Sequence, residues 1–244
     1  GVSYEVLSKD ETEAKAQIAK AISAVKVGNI FALVIEKDTF DTYKLQNNEV
    51  IKKLTMTREE AIKEVAGSIE EDAAIVSTTG MISRELFEYR TSMKEGHEKD
   101  FLTVGSMGHA SQIALGIALE KPNRRVYCFD GDGASIMHMG NMAIVAQQEL
   151  CNYVHVVFNN GAHDSVGGQP TVGLKIDLPA VAKALGYNTV LSVETKEELD
   201  EALNIITTAM GPVFLQVCVR KGNRKDLGRP TTTPIQNKEA LMQY

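Results

Sequence analysis

No cluster of lysine and arginine stands out in this sequence, and its formal net charge is −6. A dedicated nucleic-acid binder needs a basic face, so that class is set aside. No apolar run approaches the length of a membrane span, and the N-terminus lacks the pattern of a signal peptide. Cysteine is scarce. Cys128, Cys151 and Cys218 are odd in number and form no CxxC pair, and Cys128 and Cys218 fall within apolar runs. Buried free thiols in a reducing compartment are expected, with the cytoplasm as the default address. There is no internal repeat, no low-complexity tract and no initiator methionine before Gly1-Val2-Ser3. What is present is ordinary for a globular protein: 43% hydrophobic and 24% charged residues over 244 positions.

From Asp72 onward, short apolar β-branched runs alternate with helical patterns. The strands are expected at Ala73–Ser77, Phe101–Val104, Arg125–Asp130, Tyr153–Phe158, Asn188–Val193 and Val213–Val219. Helices are expected near Ile82–Thr91, Gly108–Glu120, Ser135–Glu149, Leu178–Leu185 and Thr195–Met210. Thr57 with Glu60 and Thr195 with Glu198 read as capping boxes, and Gly186 as a left-handed helix terminator. Strands as nearly continuously apolar as Val154–Phe158 suit a sheet covered on both faces. The fold class is therefore α/β: a doubly wound, mostly parallel sheet with helices on both faces. The first forty residues read differently. An amphipathic helix over Asp10–Val27, carrying Ile18, Ile22 and Val25, precedes a buried-type strand at Ile30–Ile35, with an edge strand at Val2–Leu7. These are too few elements for a domain. The expected organisation is a fragment of one α/β domain (1–40), a linker (41–56) and a whole second domain (57–244).

In open parallel sheets, ligands bind where strand ends run into helix N-termini. Three such loops are unusual here: Asp130-Gly131-Asp132-Gly133-Ala134-Ser135, the run from Asn159-Asn160 to Gly167-Gly168, and Gly105-Ser106-Met107-Gly108-His109. Glycines let backbone approach a bulky anion, and the helix that follows offers free N–H donors. Asp132 would repel a phosphate unless a cation lay between them. Magnesium fits, because it takes oxygen ligands from few carboxylates and from the phosphates themselves. Asn160 can add an amide oxygen. Other readings of the glycine loop fail by position. An EF-hand starting at Asp130 would need a ligand at Ala134 and a glutamate at Asn141. A dinucleotide fingerprint would need glycine or alanine at Ile136, and no Walker A lysine is present.

Gly131-Asp132-Gly133, followed after twenty-five residues (Ala134 to Phe158) by Asn159-Asn160, resembles the signature of thiamine-diphosphate enzymes. Together with Ser77-Thr78-Thr79-Gly80-Met81-Ile82-Ser83-Arg84-Glu85-Leu86, the Gly105–Ala110 loop and the Asn159–Gly168 loop, it resembles the phosphonopyruvate decarboxylase family within that class. The likeness runs essentially along the whole chain. It implies thiamine diphosphate and Mg²⁺ as cofactors, with Asp132, the side chain of Asn160 and the carbonyl of Ala162 as metal ligands. It implies that Gly131, Gly133, Ala134 and Ser135 face the diphosphate, flanked by Ser77, Thr78, Thr79 and Gly80. Gly105 and Ser106 would adjoin the aminopyrimidine, and Met107 would be the wedge that bends the cofactor. The implied reaction is decarboxylation of phosphonopyruvate to phosphonoacetaldehyde, the decarboxylation itself being the cofactor's chemistry. His109 and His163 are the candidate catalytic groups, and Arg84 is a weaker candidate for the substrate's charges. Residues 1–40 resemble only the last helix and strand of the family's pyrimidine-binding domain. The glutamate that domain supplies has no match here, and Glu36 falls in the wrong part of the pattern. The chain is thus expected to be part of a longer, homo-oligomeric polypeptide and inactive alone. Sulfopyruvate decarboxylase is the nearest alternative, and a non-catalytic cofactor-binding module is the alternative from another class.

Overall fold

A computed structural model describes residues 1–43 and 53–244. The chain divides into two compact units, Gly1–Ile51 and Lys52–Tyr244. Of the linker expected over 41–56, residues 44–52 lie outside the described residues. No described helix is long and apolar enough to cross a membrane.

In the first unit, β1 (Ser3–Val6) pairs in parallel with β2 (Phe31–Val34), and α1 (Glu11–Lys26) connects them. Asp10 starts α1 by accepting a hydrogen bond from the Glu13 N–H at 2.9 Å. Gln17 ties the helix to the strand, donating to the Val6 carbonyl at 2.9 Å and accepting from the Ser8 N–H at 2.8 Å. The elements match the expectation, but the burial does not. No residue of α1 is buried, and Ile18, Ile22, Val25 and Val34 are all exposed. One helix on two strands has too little surface to enclose a core.

The second unit begins with α2 (Arg58–Ser68), whose capping box between Thr57 and Glu60 is formed as expected. Next come β3 (Ala74–Ser77), α3 (Met81–Met93), β4 (Asp100–Leu102), α4 (Ala110–Glu120) and β5 (Val126–Gly131). Two short helices, α5 (Asp132–Met137) and α6 (Gly140–Ala146), lead to β6 (Tyr153–Asn159). A small hairpin of β7 (Ala162–His163) and β8 (Gln169–Pro170) precedes α7 (Leu178–Leu185), β9 (Thr189–Val193), α8 (Lys196–Ile206), β10 (Val213–Cys218) and α9 (Pro234–Gln243). Six of these strands form one parallel sheet in the order β4-β3-β5-β6-β10-β9.

Strand alternation divides the core into two layers. On β6, Val154, Val156 and Phe158 meet Ile62, Val65, Leu86, Leu199 and Leu203 of α2, α3 and α8. Tyr153 and Val157 turn the other way, toward Ala114, Met142, Val145, Leu178 and Ala182 of α4, α6 and α7. This is the doubly wound architecture expected from the sequence. Full burial of a side chain such as Phe129 or Leu199 contributes about 1.5–3 kcal/mol.

The two largest departures from expectation are a split helix and an added one. The single helix over Ser135–Glu149 is two helices, broken at His138, whose φ of −130° and ψ of 47° leave the helical region. His138 packs against the Gly108 turn so closely that a Cβ at Gly108 would lie 2.6 Å from its ring. Asn141 then donates to the Gly108 carbonyl at 3.0 Å. The helix α9 was not anticipated, although Thr233-Pro234 with Gln236 forms a capping box with proline in the first turn. Its Asn237, 5% exposed, lies against β4, accepting from the Leu102 N–H at 2.8 Å and donating to the Asp100 carbonyl at 2.6 Å.

Candidate functional site

The sheet order decides where a crevice can form. From β3 the chain crosses to β4, and from β5 it crosses to β6 on the opposite side, so the C-terminal ends of adjacent β3 and β5 part into separate loops. Since β6 lies beside β5, the loops after β3, β5 and β6 are contiguous. With Met107 from the loop after β4, they enclose a cleft lined by Thr78, Thr79, Met107, Gly131, Asp132, Gly133, Ala134, Asn160, Ala162 and His163. These are ten of the residues expected at the site. Gly105 touches the cleft's wall, its N–H donating to Thr79 Oγ1 at 3.2 Å. Ser106 is exposed beside it. Ser77 lies beneath the floor, fully buried, with its hydroxyl 3.0 Å from that of Ser83. Gly80 bends the loop at φ +108°, directly before α3. Ser135 turns its hydroxyl away from the cleft, onto Asp130 at 3.1 Å. His109 and Arg84 do not line the cleft. The His109 ring lies 4.4 Å from that of His138 instead.

Asp132 opens α5, where the first-turn N–H groups of Gly133 and Ala134 have no partner within the helix. Its carboxylate is 1% exposed, and burial pushes its pKa up. The Thr171 hydroxyl and the backbone N–H groups of Asn160 and Asp132 itself pull the other way. The two asparagines divide the work of the β6 loop. Asn159 is structural, donating to the Gly173 carbonyl at 2.7 Å and to Gln216 Oε1 at 3.0 Å. Its own Oδ1 accepts from the Gly161 N–H at 3.1 Å. Asn160, 3% exposed, faces the cleft.

The donor set is made of oxygens: a buried carboxylate, an amide oxygen and a backbone carbonyl. That suits a hard cation and does not suit a thiophilic one. Thr78 Oγ1 is buried in the same cleft with no hydrogen-bond partner. A buried hydroxyl without a partner costs free energy unless a ligand supplies one. These residues fit a metal-bridged diphosphate.

Several residues at the site escaped the sequence reading: Arg58 and Asp164 line the cleft, while Thr171 and Gly173 back Asp132 and Asn159. The α2 capping box located Arg58 at the start of a helix, but nothing local says that this helix begins beside the strand ends. An isolated parallel bridge between Thr57 and Arg220 puts it there. Gly173 is needed because a Cβ there would stand 2.3 Å from Asp132 Oδ2 and 2.8 Å from Asn159 Oδ1. Gly173→Ala is therefore expected to rotate the Asp132 carboxylate and weaken metal affinity about tenfold, the lower end for a residue that supports a ligand. Titration of the variant with Mn²⁺ measures this; unchanged affinity would contradict the placement of Asp132.

The fold and cleft define a class. Residues 78–217, more than half of the chain, match the family described as "Thiamine pyrophosphate enzyme, C-terminal TPP binding domain", and the chain belongs to that family. It is 40% identical over 180 residues to phosphonopyruvate decarboxylase of Streptomyces viridochromogenes, a match covering 74% of this chain and 44% of that protein. It is 36% identical to sulfopyruvate decarboxylase subunit beta of Methanothermobacter thermautotrophicus over 70% of this chain and 85% of that subunit. The fold matches that of benzoylformate decarboxylase from Polynucleobacter necessarius, with a TM-score of 0.57 at 18% identity, over 92% of this chain and 45% of that one. The chain thus spans less than half the length of its phosphonopyruvate decarboxylase relative.

Proposed function

We propose that this chain is the diphosphate-binding part of a thiamine-diphosphate- and Mg²⁺-dependent decarboxylase that converts 3-phosphonopyruvate to phosphonoacetaldehyde and carbon dioxide. The observation that carries the reading is a single buried cleft holding Asp132, Asn160 and the unpartnered Thr78 hydroxyl. Asp132, the Asn160 amide oxygen and the Ala162 carbonyl would hold the metal. The N–H groups of Gly133, Ala134 and Ser135 would face the diphosphate, with Ser77–Gly80 on its flank. The Gly105 carbonyl, with Ser106, would meet the aminopyrimidine, and Met107 would support the cofactor's bend. Thiamine diphosphate, when bound, supplies the carbon that adds to the substrate's keto group and the ring that accepts the electron pair as carbon dioxide leaves. His163 is the histidine suited to proton transfer within the cleft. A Cβ at Gly133 would stand 2.3 Å from its ring, so it borders the diphosphate loop. His109, outside the cleft beside His138, would serve the substrate's negative charge. The full-length protein would be a cytoplasmic homo-oligomer.

A second reading is supported by the sulfopyruvate decarboxylase subunit, of whose length this chain covers 85%. The two substrates differ in a phosphonate against a sulfonate. Phosphorus NMR of the full-length protein with phosphonopyruvate, thiamine diphosphate and Mg²⁺ is expected to show phosphonoacetaldehyde. Turnover of sulfopyruvate alone would favour the second reading, and cofactor binding without turnover of either would favour a non-catalytic module. These 244 residues offer no counterpart to the family's pyrimidine-contacting glutamate. The isolated chain is accordingly expected to give no product under the same conditions.

A further inference from the structure

An asparagine amide is ambiguous as a metal ligand. Its oxygen attracts a cation, its NH₂ repels one, and the two ends have nearly the same shape. Here the surroundings remove the ambiguity at both ends. The Asn160 Nδ2 lies 2.6 Å from Asp164 Oδ2, which as a carboxylate oxygen can only accept. The Asn160 Oδ1 lies 3.0 Å from the Ala162 N–H, which can only donate.

Asp164 is itself held. The same Oδ2 accepts from Arg58 Nη1 at 2.9 Å and from the Gly222 N–H at 3.0 Å, and its side chain is 6% exposed. Arg58, 4% exposed, is gripped from behind by Glu85 of α3, whose oxygens accept from Nε at 2.8 Å and from Nη2 at 3.0 Å. Burial opposes the charge on Arg58, and the Glu85 and Asp164 carboxylates outweigh it, so its pKa is raised. A bidentate guanidinium fixes direction as well as charge. The start of α2, the loop after β6 and the chain after β10 therefore converge on one carboxylate oxygen beside the amide, and α3 reaches it only through Arg58.

We propose that Asp164 is a positioning residue that keeps the Asn160 amide turned with its oxygen toward the metal, and that Arg58 and Glu85 hold Asp164 in place to do so. This rests on the reading of Asn160 as a magnesium ligand. Asp164 touches neither metal nor substrate in this assignment; it acts through Asn160.

The test uses the full-length protein, with Mn²⁺ as a spectroscopic stand-in for Mg²⁺ and thiamine diphosphate present, and metal affinity read by electron paramagnetic resonance. Asp164→Ala is expected to weaken Mn²⁺ binding about 10–100-fold, the range for groups that orient metal ligands. Asp164→Asn should recover most of that loss. The Arg58 and Gly222 N–H groups, both donors, force the new amide's oxygen into the place of Oδ2. Wild-type affinity in Asp164→Ala would overturn the proposal. Equal loss in both variants would also overturn it, because charge and not orientation would then be at work. If the wild-type protein binds no Mn²⁺ with thiamine diphosphate, the metal-site reading itself fails. Should Asp164→Ala not fold, amide exchange in asparagine-labelled wild-type protein decides the matter. One Asn160 side-chain proton should exchange markedly more slowly than its twin, and equal fast exchange would refute the clamp.

Discussion

Asp132→Ala is expected to remove metal-dependent binding of thiamine diphosphate, lowering affinity by more than about 100-fold. Groups that merely support a metal ligand are worth about 10–100-fold, and Asp132 would be the anionic ligand itself. Magnesium sites of this kind rely on one or two carboxylates plus the ligand's phosphates. Without Asp132 the protein would offer the cation only neutral oxygens, from Asn160 and a carbonyl, and its hold on the metal and the diphosphate would weaken. The fold should survive, because Asp132 starts a helix of only six residues and belongs to neither hydrophobic layer. Calorimetric titration with Mg²⁺ and thiamine diphosphate, beside thermal unfolding of the free protein, separates the two effects. Tight binding retained by the variant would remove Asp132 from the site.

The second large effect is expected far from the cleft. Arg90 of α3, 2% exposed, donates through Nε to Asp100 Oδ2 at 3.0 Å and through Nη2 to Oδ1 at 3.3 Å, while Nη1 meets Glu95 at 2.6 Å. Asp100, at the start of β4, is fully buried. Arg90→Met should cost about 3–5 kcal/mol near neutral pH, since removing one partner forces the other either to stay buried as an unpaired charge or to take up a proton. The pH dependence gives a second check. Burial raises the Asp100 pKa to about 6 although Arg90 pulls it down. A carboxyl whose folded pKa lies above its unfolded value binds its proton more tightly when folded. Its contribution to stability is therefore full below the unfolded pKa and is lost as pH rises toward about 6. Removing Arg90 removes a lowering influence, so the loss should extend above pH 6. Urea unfolding of both proteins from pH 4 to pH 8 should show their curves diverging as pH rises. Parallel curves would mean that Asp100 does not carry the effect.

The sheet was legible because its strands obey a rule readable from one residue to the next. Runs such as Tyr153–Phe158 are apolar at every position but His155, as suits a strand covered on both faces, and all six expected strands are present within a residue or two at each end. The strand expected to reach Val104 stops at Leu102, and Val104 is left 73% exposed just before Gly105 turns the chain at φ +73°. The cleft was legible through its loops, because glycine, aspartate and asparagine at strand ends announce themselves locally. What lay hidden was long-range. Arg58 reaches Asp164 across 106 positions, and Thr171 reaches Asp132 across 39. No periodicity or spacing encodes such pairs. The break at His138 was hidden for the same reason: it is imposed by a turn thirty residues earlier, at Gly108.

The amide of Asn237 has a meaning for the molecule's behaviour among its own copies. A border strand such as β4 displays unpaired backbone groups that can recruit a strand from another chain. Asn237 offers β4 one acceptor and one donor, meeting the Leu102 N–H and the Asp100 carbonyl as a neighbouring strand would. The last helix of the chain thus seals that flank of the sheet against templated self-association, and a single side chain stands where a seventh strand could otherwise dock.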